Sequence, residues 1–138
     1  MRFSDKAWAY ALLRVALGVN FGIHGFIRVF TGVGAFAATT AEHMGKSPLP
    51  HGFVYGFACL IPWIELVLGL GLMLGLATRA VLVLGSVFLM GLTVGVGMNQ
   101  QWDVAGQQLV YSVVMAGLLF LVEWNEVSVD GRMRRVRG

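Results

Sequence analysis

The sequence predicts an all-α protein, a transmembrane four-helix bundle with both termini on the cytoplasmic side. Three observations carry this. Hydrophobic residues make up 57% of the 138-residue chain and charged ones only 12%, against ~25% charged in soluble domains. Four apolar stretches approach the ~20 residues that a helix needs to cross the hydrocarbon of a bilayer. Lipid offers no partner to backbone amides and carbonyls, so spans of this length are helices rather than open strands. Residues 1–138 read as one integral membrane domain with a mean hydropathy of +0.76.

The spans are expected at about 7–30, 53–76, 79–98 and 108–124, followed by a basic tail over 125–138. Ala35-Phe36-Ala37 has the small-x-small look of a signal cleavage site. The run before it carries Arg14, His24 and Arg28, however, so it reads as a retained span. The connection at Ala77-Thr78 is a short turn. The polar stretch from Asn99 to Gln107 reads as a loop. The longest connection, Thr31 to Gly52, has room for a short helix over 34–44, where Ala35, Ala37, Ala38 and Ala41 favour one. Gly52/Gly56, Gly71/Gly75 and Gly91/Gly95 have the spacing that lets membrane helices approach closely.

Orientation follows from the basic residues. Arg2, Lys6, Arg79, Arg132, Arg134, Arg135 and Arg137 gather on one side, while Lys46 and Arg28 lie toward the other. The first side is therefore expected to face the cytoplasm, in a multi-pass protein of a bacterial inner membrane. The tail then serves as a topological anchor, or as a site for anionic lipid or a partner. The net charge of +3 is no sign of nucleic-acid binding, because the basic residues cluster at span ends. The chain has a single cysteine, Cys59, which rules out an intramolecular disulfide and a CxxC redox motif. No spacing fits zinc or an iron–sulfur cluster. Only His24 of the histidines lies in a span, so neither metal nor haem is expected. Nucleophile triads, P-loops and dinucleotide fingerprints are absent from the sequence.

The residues that invite a functional reading are ionisable ones within the spans. Each costs about 3 kcal/mol or more in hydrocarbon, so it needs a partner or a polar cavity. On a wheel of ~100° per residue, Arg28, His24 and Asn20 lie about 40°, 80° and 120° from Arg14, in one wedge expected to face the bundle interior. Arg14 and Glu65 are expected at similar depth, as an intramembrane ion pair. Such a pair is structural or functional; the sequence leaves both open. Pro62, one turn before Glu65, frees a carbonyl and is expected to bend its helix. Further out, Asn20, His24, Arg28 and Tyr111, together with Ser112, Gln107 and Gln108 and with Phe21 and Trp63 as walls, are expected to form a pocket suited to a quinone head group. A lone span histidine also serves commonly as a hydrogen-bonded packing residue.

These residues carry a resemblance. The first span contains Leu13-Arg14-Val15-Ala16-Leu17-Gly18-Val19-Asn20 and then His24-Gly25-Phe26-Ile27-Arg28. The second contains Pro62-Trp63-Ile64-Glu65 and, after it, Gly75-Leu76-Ala77-Thr78-Arg79; Ser128-Val129-Asp130 follows the fourth. The chain resembles the DoxX/DoxD-like family of small four-helix membrane proteins over nearly its whole length. Members of that family often have Lys where this chain has Arg28. Founding members are linked to a thiosulfate:quinone oxidoreductase as its membrane subunit, and others accompany redox or detoxification proteins. The resemblance thus implies a membrane subunit of an oxidoreductase complex, with quinone as its ligand and other subunits or further copies of itself as partners. The competing reading is a non-catalytic scaffold that anchors a larger partner. A small-solute carrier is a third, with little support from four short helices lacking inverted repeats.

Overall fold

The computed structural model describes residues 3–137. Its helices are α1 (Asp5–His43), α2 (His51–Leu74), α3 (Thr78–Met98), α4 (Trp102–Phe120) and a short α5 (Val129–Arg137), with a 3-10 turn at Val122–Trp124. The first four are each long and apolar enough to cross a membrane. No strand occurs among the described residues.

Local chemistry sets the helix ends. Ser4 caps α1, its hydroxyl accepting from the Ala7 amide at 3.2 Å. α1 is much longer than a bilayer requires, and it contains a break at Gly32 (φ 113°, ψ 107°), a conformation that only glycine adopts without strain. Beyond the break the chain folds over α2, burying Ala37 and Ala41. The helix expected over 34–44 is this outer part of α1. α2 runs unbroken through Pro62 and ends at Gly75, which is left-handed at φ 65°, with the Leu76 amide donating back to the Gly71 carbonyl at 3.0 Å.

Two boundaries correct the sequence reading. The stretch 99–107 is not a loop, because α4 begins at Trp102 and places Asp103 in its first turn. There a carboxylate favours the helix dipole, so a polar stretch that looked like a connection starts a helix. At the other end α4 stops at Phe120 rather than near 124, and the chain tightens into the 3-10 turn.

α1 and α2 pack along much of their length as an antiparallel pair, and α3 and α4 form a second pair that touches the first less extensively. The first seam is built on Gly18, Gly22 and Gly25 of α1 and Gly69 of α2. A Cβ on Gly18 would lie 2.7 Å from the Met73 nitrogen, and one on Gly25 would lie 2.6 Å from the Pro62 carbonyl oxygen. A Cβ on Gly69 would collide with the Gly22 backbone. The two backbones are therefore in contact, and dispersion between them replaces a hydrophobic effect that lipid does not supply. Of the glycine pairs singled out by spacing, Gly71 packs on Val81 of α3 and Gly75 on Ser128 and Arg14, both outside this seam. Gly52, Gly56 and Gly91 have nothing within 4 Å of an added Cβ. Small-xxx-small spacing does not say which face is buried; the 18/22/25 stripe coincides with buried Arg14, Leu17 and Phe21.

Both chain ends gather at one end of the bundle, where Arg135 stacks on Phe3 at 4.8 Å and Lys6 lies over Trp124 at 4.6 Å. Arg14, 1% exposed, is the centre of that end. Its Nη1 donates to the carbonyls of Leu72 and Met73 at the end of α2, and its Nη2 donates to the Val127 carbonyl at 2.8 Å. A cation there satisfies orphan carbonyls and opposes the negative end of the helix dipole. Asp130 completes the junction, accepting from the Ala77 and Thr78 amides at 2.9 and 2.7 Å and so capping α3 from α5. Burial alone would raise the Asp130 carboxyl, but these Thr78 and Ala77 bonds, with Arg134 nearby, hold it below its ordinary value of 3.8. Asn125 adds a bond to the Thr78 hydroxyl at 2.8 Å.

The seam makes a clear prediction. Gly69→Ala should cost about 1–3 kcal/mol of stability, because the added methyl meets backbone that cannot yield. Gly91→Ala should change stability by no more than ~0.5 kcal/mol. Unfolding of the two variants in one detergent measures the contrast.

Candidate functional site

The glycine seam fixes the register of α1 against α2, and the register decides which charges meet. Gly25 lies against Pro62 and Leu66, so Glu65 is beside this crossing and Arg28 is one turn beyond Gly25. Arg28 Nη1 lies 2.5 Å from both Glu65 Oε1 and Oε2. The ion pair is thus Arg28–Glu65, not Arg14–Glu65. The physical reason is vertical. Gly18 already packs on Met73, which places Arg14, one turn earlier, at the terminus of α2 and far from Glu65. Arg14 finds carbonyls there instead of a carboxylate.

Glu65 is nearly closed off, its side chain 9% exposed, whereas that of Arg28 is 29% exposed. The asymmetry has a cause. Arg28 faces a cavity of about 580 Å³ between the two helix pairs, at the end away from the termini. The break at Gly32 brings Phe36 over that cavity, and the Arg28 guanidinium lies 4.5 Å from its ring centroid. Phe53 and Phe57, parallel at 6.4 Å, line the α2 side. The opposite wall is α3 and α4, with Gly91, Gly95 and Gln108. Gly91 and Gly95 therefore hollow out a cavity rather than join helices. The Thr93 hydroxyl lies 2.8 Å from the Leu89 carbonyl oxygen, which takes its single proton, and 2.9 Å from the Gln108 side-chain amide, which has two N–H donors and spends at most one of them there. The walls are mainly apolar, and a few polar groups sit at the floor and on one side, the usual make-up of a small-molecule site.

The other residues expected in the pocket divide. Asn20 Nδ2 reaches the Tyr111 hydroxyl at 3.4 Å, and Tyr111 stands edge-on to Phe21 at 6.1 Å. This contact ties α1 to α4, but neither Asn20 nor Tyr111 lines the cavity. His24 is exposed, and its ring folds back on its own helix, Nδ1 donating to the Asn20 carbonyl oxygen at 2.7 Å. That bond fixes the proton on Nδ1. His24 and Trp63, which is 51% exposed, are therefore not cavity walls. The helical-wheel wedge was wider than the buried stripe, so part of it faces away from the core. Of the polar residues expected from α4, Gln108 does line the cavity, while Phe36, Phe53 and Phe57 escaped the sequence reading. The signal was Gly32, the one residue able to turn the outer part of α1 across the opening.

With this geometry in view, the comparison with known families is decisive. The DoxX family model matches residues 9–98. The chain belongs to the DoxX family. The matched region covers α1 to α3 and contains Arg14, Arg28 and Glu65, while α4 and the Ser128-Val129-Asp130 segment lie beyond it. No curated protein and no solved structure was found to match. Among the described residues of this DoxX protein, no group of three His, Cys, Asp or Glu side chains is placed to hold a metal ion.

The two candidate pairings are separable by experiment. In double-mutant cycles of unfolding, Arg28→Gln with Glu65→Gln should show a coupling of about 1–2 kcal/mol, reduced from a fully buried pair by the exposure of Arg28. Arg14→Gln with Glu65→Gln should be additive within ~0.5 kcal/mol.

Proposed function

We propose that this DoxX protein is the membrane subunit of an oxidoreductase complex and that its cavity takes a quinone. One observation carries the reading: an aromatic-lined cavity of about 580 Å³ has a guanidinium–carboxylate pair at its floor. A quinone is a flat apolar ring with two carbonyl acceptors and an apolar tail, and it supplies two-electron, two-proton chemistry when bound. Phe36, Phe53 and Phe57 offer rings for the head group to pack on. Arg28 has five N–H donors and spends one nitrogen on Glu65, so it retains donors for a carbonyl. The Gln108 amide is a second donor on the opposite wall. Glu65 keeps Arg28 in place and is the titratable group at the cavity floor for a proton. Electrons come from a partner subunit, and this chain positions the acceptor.

Blocking the cavity without touching its charges tests this. Gly91→Leu places a side chain into open space on the cavity wall. A short-chain quinone titrated into the reconstituted protein should bind at least about tenfold more weakly to that variant, the loss of ~1.4 kcal/mol. Its melting temperature should remain that of the wild type. Equal quinone affinity in both proteins would contradict the reading and leave the non-catalytic scaffold as the better account.

A further inference from the structure

A second concavity, of about 570 Å³, lies at the end that carries both termini. It runs between the start of α1, the end of α2 and the start of α5. Trp8, Leu12, Val15 and Leu74 form its apolar part, and Arg132 and Met133 close it from α5. The apolar residues are well exposed: Leu12 by 66%, Leu74 by 54% and Trp8 by 48%. Its charge is of one sign. Two arginines, Arg14 and Arg132, line it, and no Asp or Glu does.

The two arginines are not equivalent. Arg14 is buried and spends both terminal nitrogens on the Leu72, Met73 and Val127 carbonyls. The Arg132 side chain is exposed and makes no hydrogen bond or ion pair among the described residues. The Trp8 indole N–H likewise has no acceptor among them, although its ring is held edge-on by Phe3 at 6.0 Å. A guanidinium unpaired among the described residues and an indole donor thus line the same apolar groove beside α1. A tryptophan at a helix end marks the headgroup level. Two donors at that level, above a strip of aliphatic side chains, match a phosphate attached to acyl chains. Soluble anions would use the donors but gain nothing from Leu12, Val15 and Leu74.

We propose that this groove binds one anionic phospholipid, its phosphate on Arg132 and the Trp8 N–H and an acyl chain along Leu12, Val15 and Leu74. Bound there, the lipid bridges α5 to α1 and α2, adding to the Arg14 and Asp130 contacts that dock the C-terminal segment. The site is separate from the Arg28–Glu65 cavity and does not depend on quinone binding.

The test uses the full chain in nanodiscs of equimolar phosphatidylglycerol and phosphatidylcholine, with retained lipid read by native mass spectrometry. Phosphatidylglycerol should be retained over phosphatidylcholine by about fivefold, the worth of one basic residue at an anionic surface. Arg132→Gln should bring the ratio close to one, while Arg132→Lys should keep most of it. Lys46→Gln, which removes the same charge from the connection at the opposite end, should leave the ratio unchanged. Equal retention in the wild type, or equal effects of Arg132→Gln and Lys46→Gln, would overturn the site in favour of diffuse attraction. If inorganic phosphate alone raised the melting temperature as much as phosphatidylglycerol does, the groove would be an anion site and the lipid assignment would be wrong.

Discussion

The backbone contact between α1 and α2 governs the rest of the molecule. Gly18 and Gly25 meet α2, and Gly69 meets Gly22, so closely that a Cβ on Gly18, Gly25 or Gly69 would not fit. Helices this close cannot slide, because sliding would drive a side chain into the opposing backbone. The contact thereby fixes the depth of every polar group on both helices. Glu65 comes beside Gly25 and within reach of Arg28, and Arg14 comes to the terminus of α2. Arg14, Arg28 and Glu65 then each have a partner suited to their depth, which is the condition for their presence in an apolar bundle.

The two ends of the bundle use that register differently. At the terminal end the polar groups are spent on structure: Arg14 gathers three carbonyls, Asp130 caps α3 and Asn125 binds Thr78. The Tyr10 hydroxyl and Arg14 Nε are buried there without a partner among the described residues, and the exposed Arg132 and Trp8 line the groove beside them. At the other end the break at Gly32 and the glycines of α3 leave a volume unfilled, with a charged pair beneath it. A bundle selected only for stability would fill such a volume, since each void forfeits dispersion contacts. The concavity at the terminal end has nearly the same volume, so what sets this cavity apart is its lining: a guanidinium–carboxylate pair under three phenylalanine rings.

Much of this was legible in the sequence. Length and hydropathy sufficed for four helices, and the alanines after Gly34 were enough to foresee helix in the long connection. Glu65 and the arginines were visible as costly residues that needed partners. The partner of Glu65 was not, because depth was counted from approximate span ends, and an error of a few residues moves a side chain by a full turn. Only the packing of Gly18 on Met73 and of Gly25 on Pro62 sets that count. His24 looked inward because a wheel shows direction but not how wide the buried stripe is. Asn99 to Gln107 looked like a loop because polar residues at a helix start, outside the hydrocarbon, resemble those of a connection.

As a DoxX protein, this chain combines a rigid helix pair, a second pair held more loosely against it and a cavity between them with one ion pair at its floor. The assignment of that cavity to a quinone is the central claim. Native mass spectrometry of the protein extracted gently from its own membrane tests it most directly, because bound small molecules and partner chains appear in the same spectrum. The account predicts a quinone retained on the chain, together with partner subunits that supply electrons. Partner chains without any quinone would contradict it and would identify the protein as an anchor for the enzyme it accompanies.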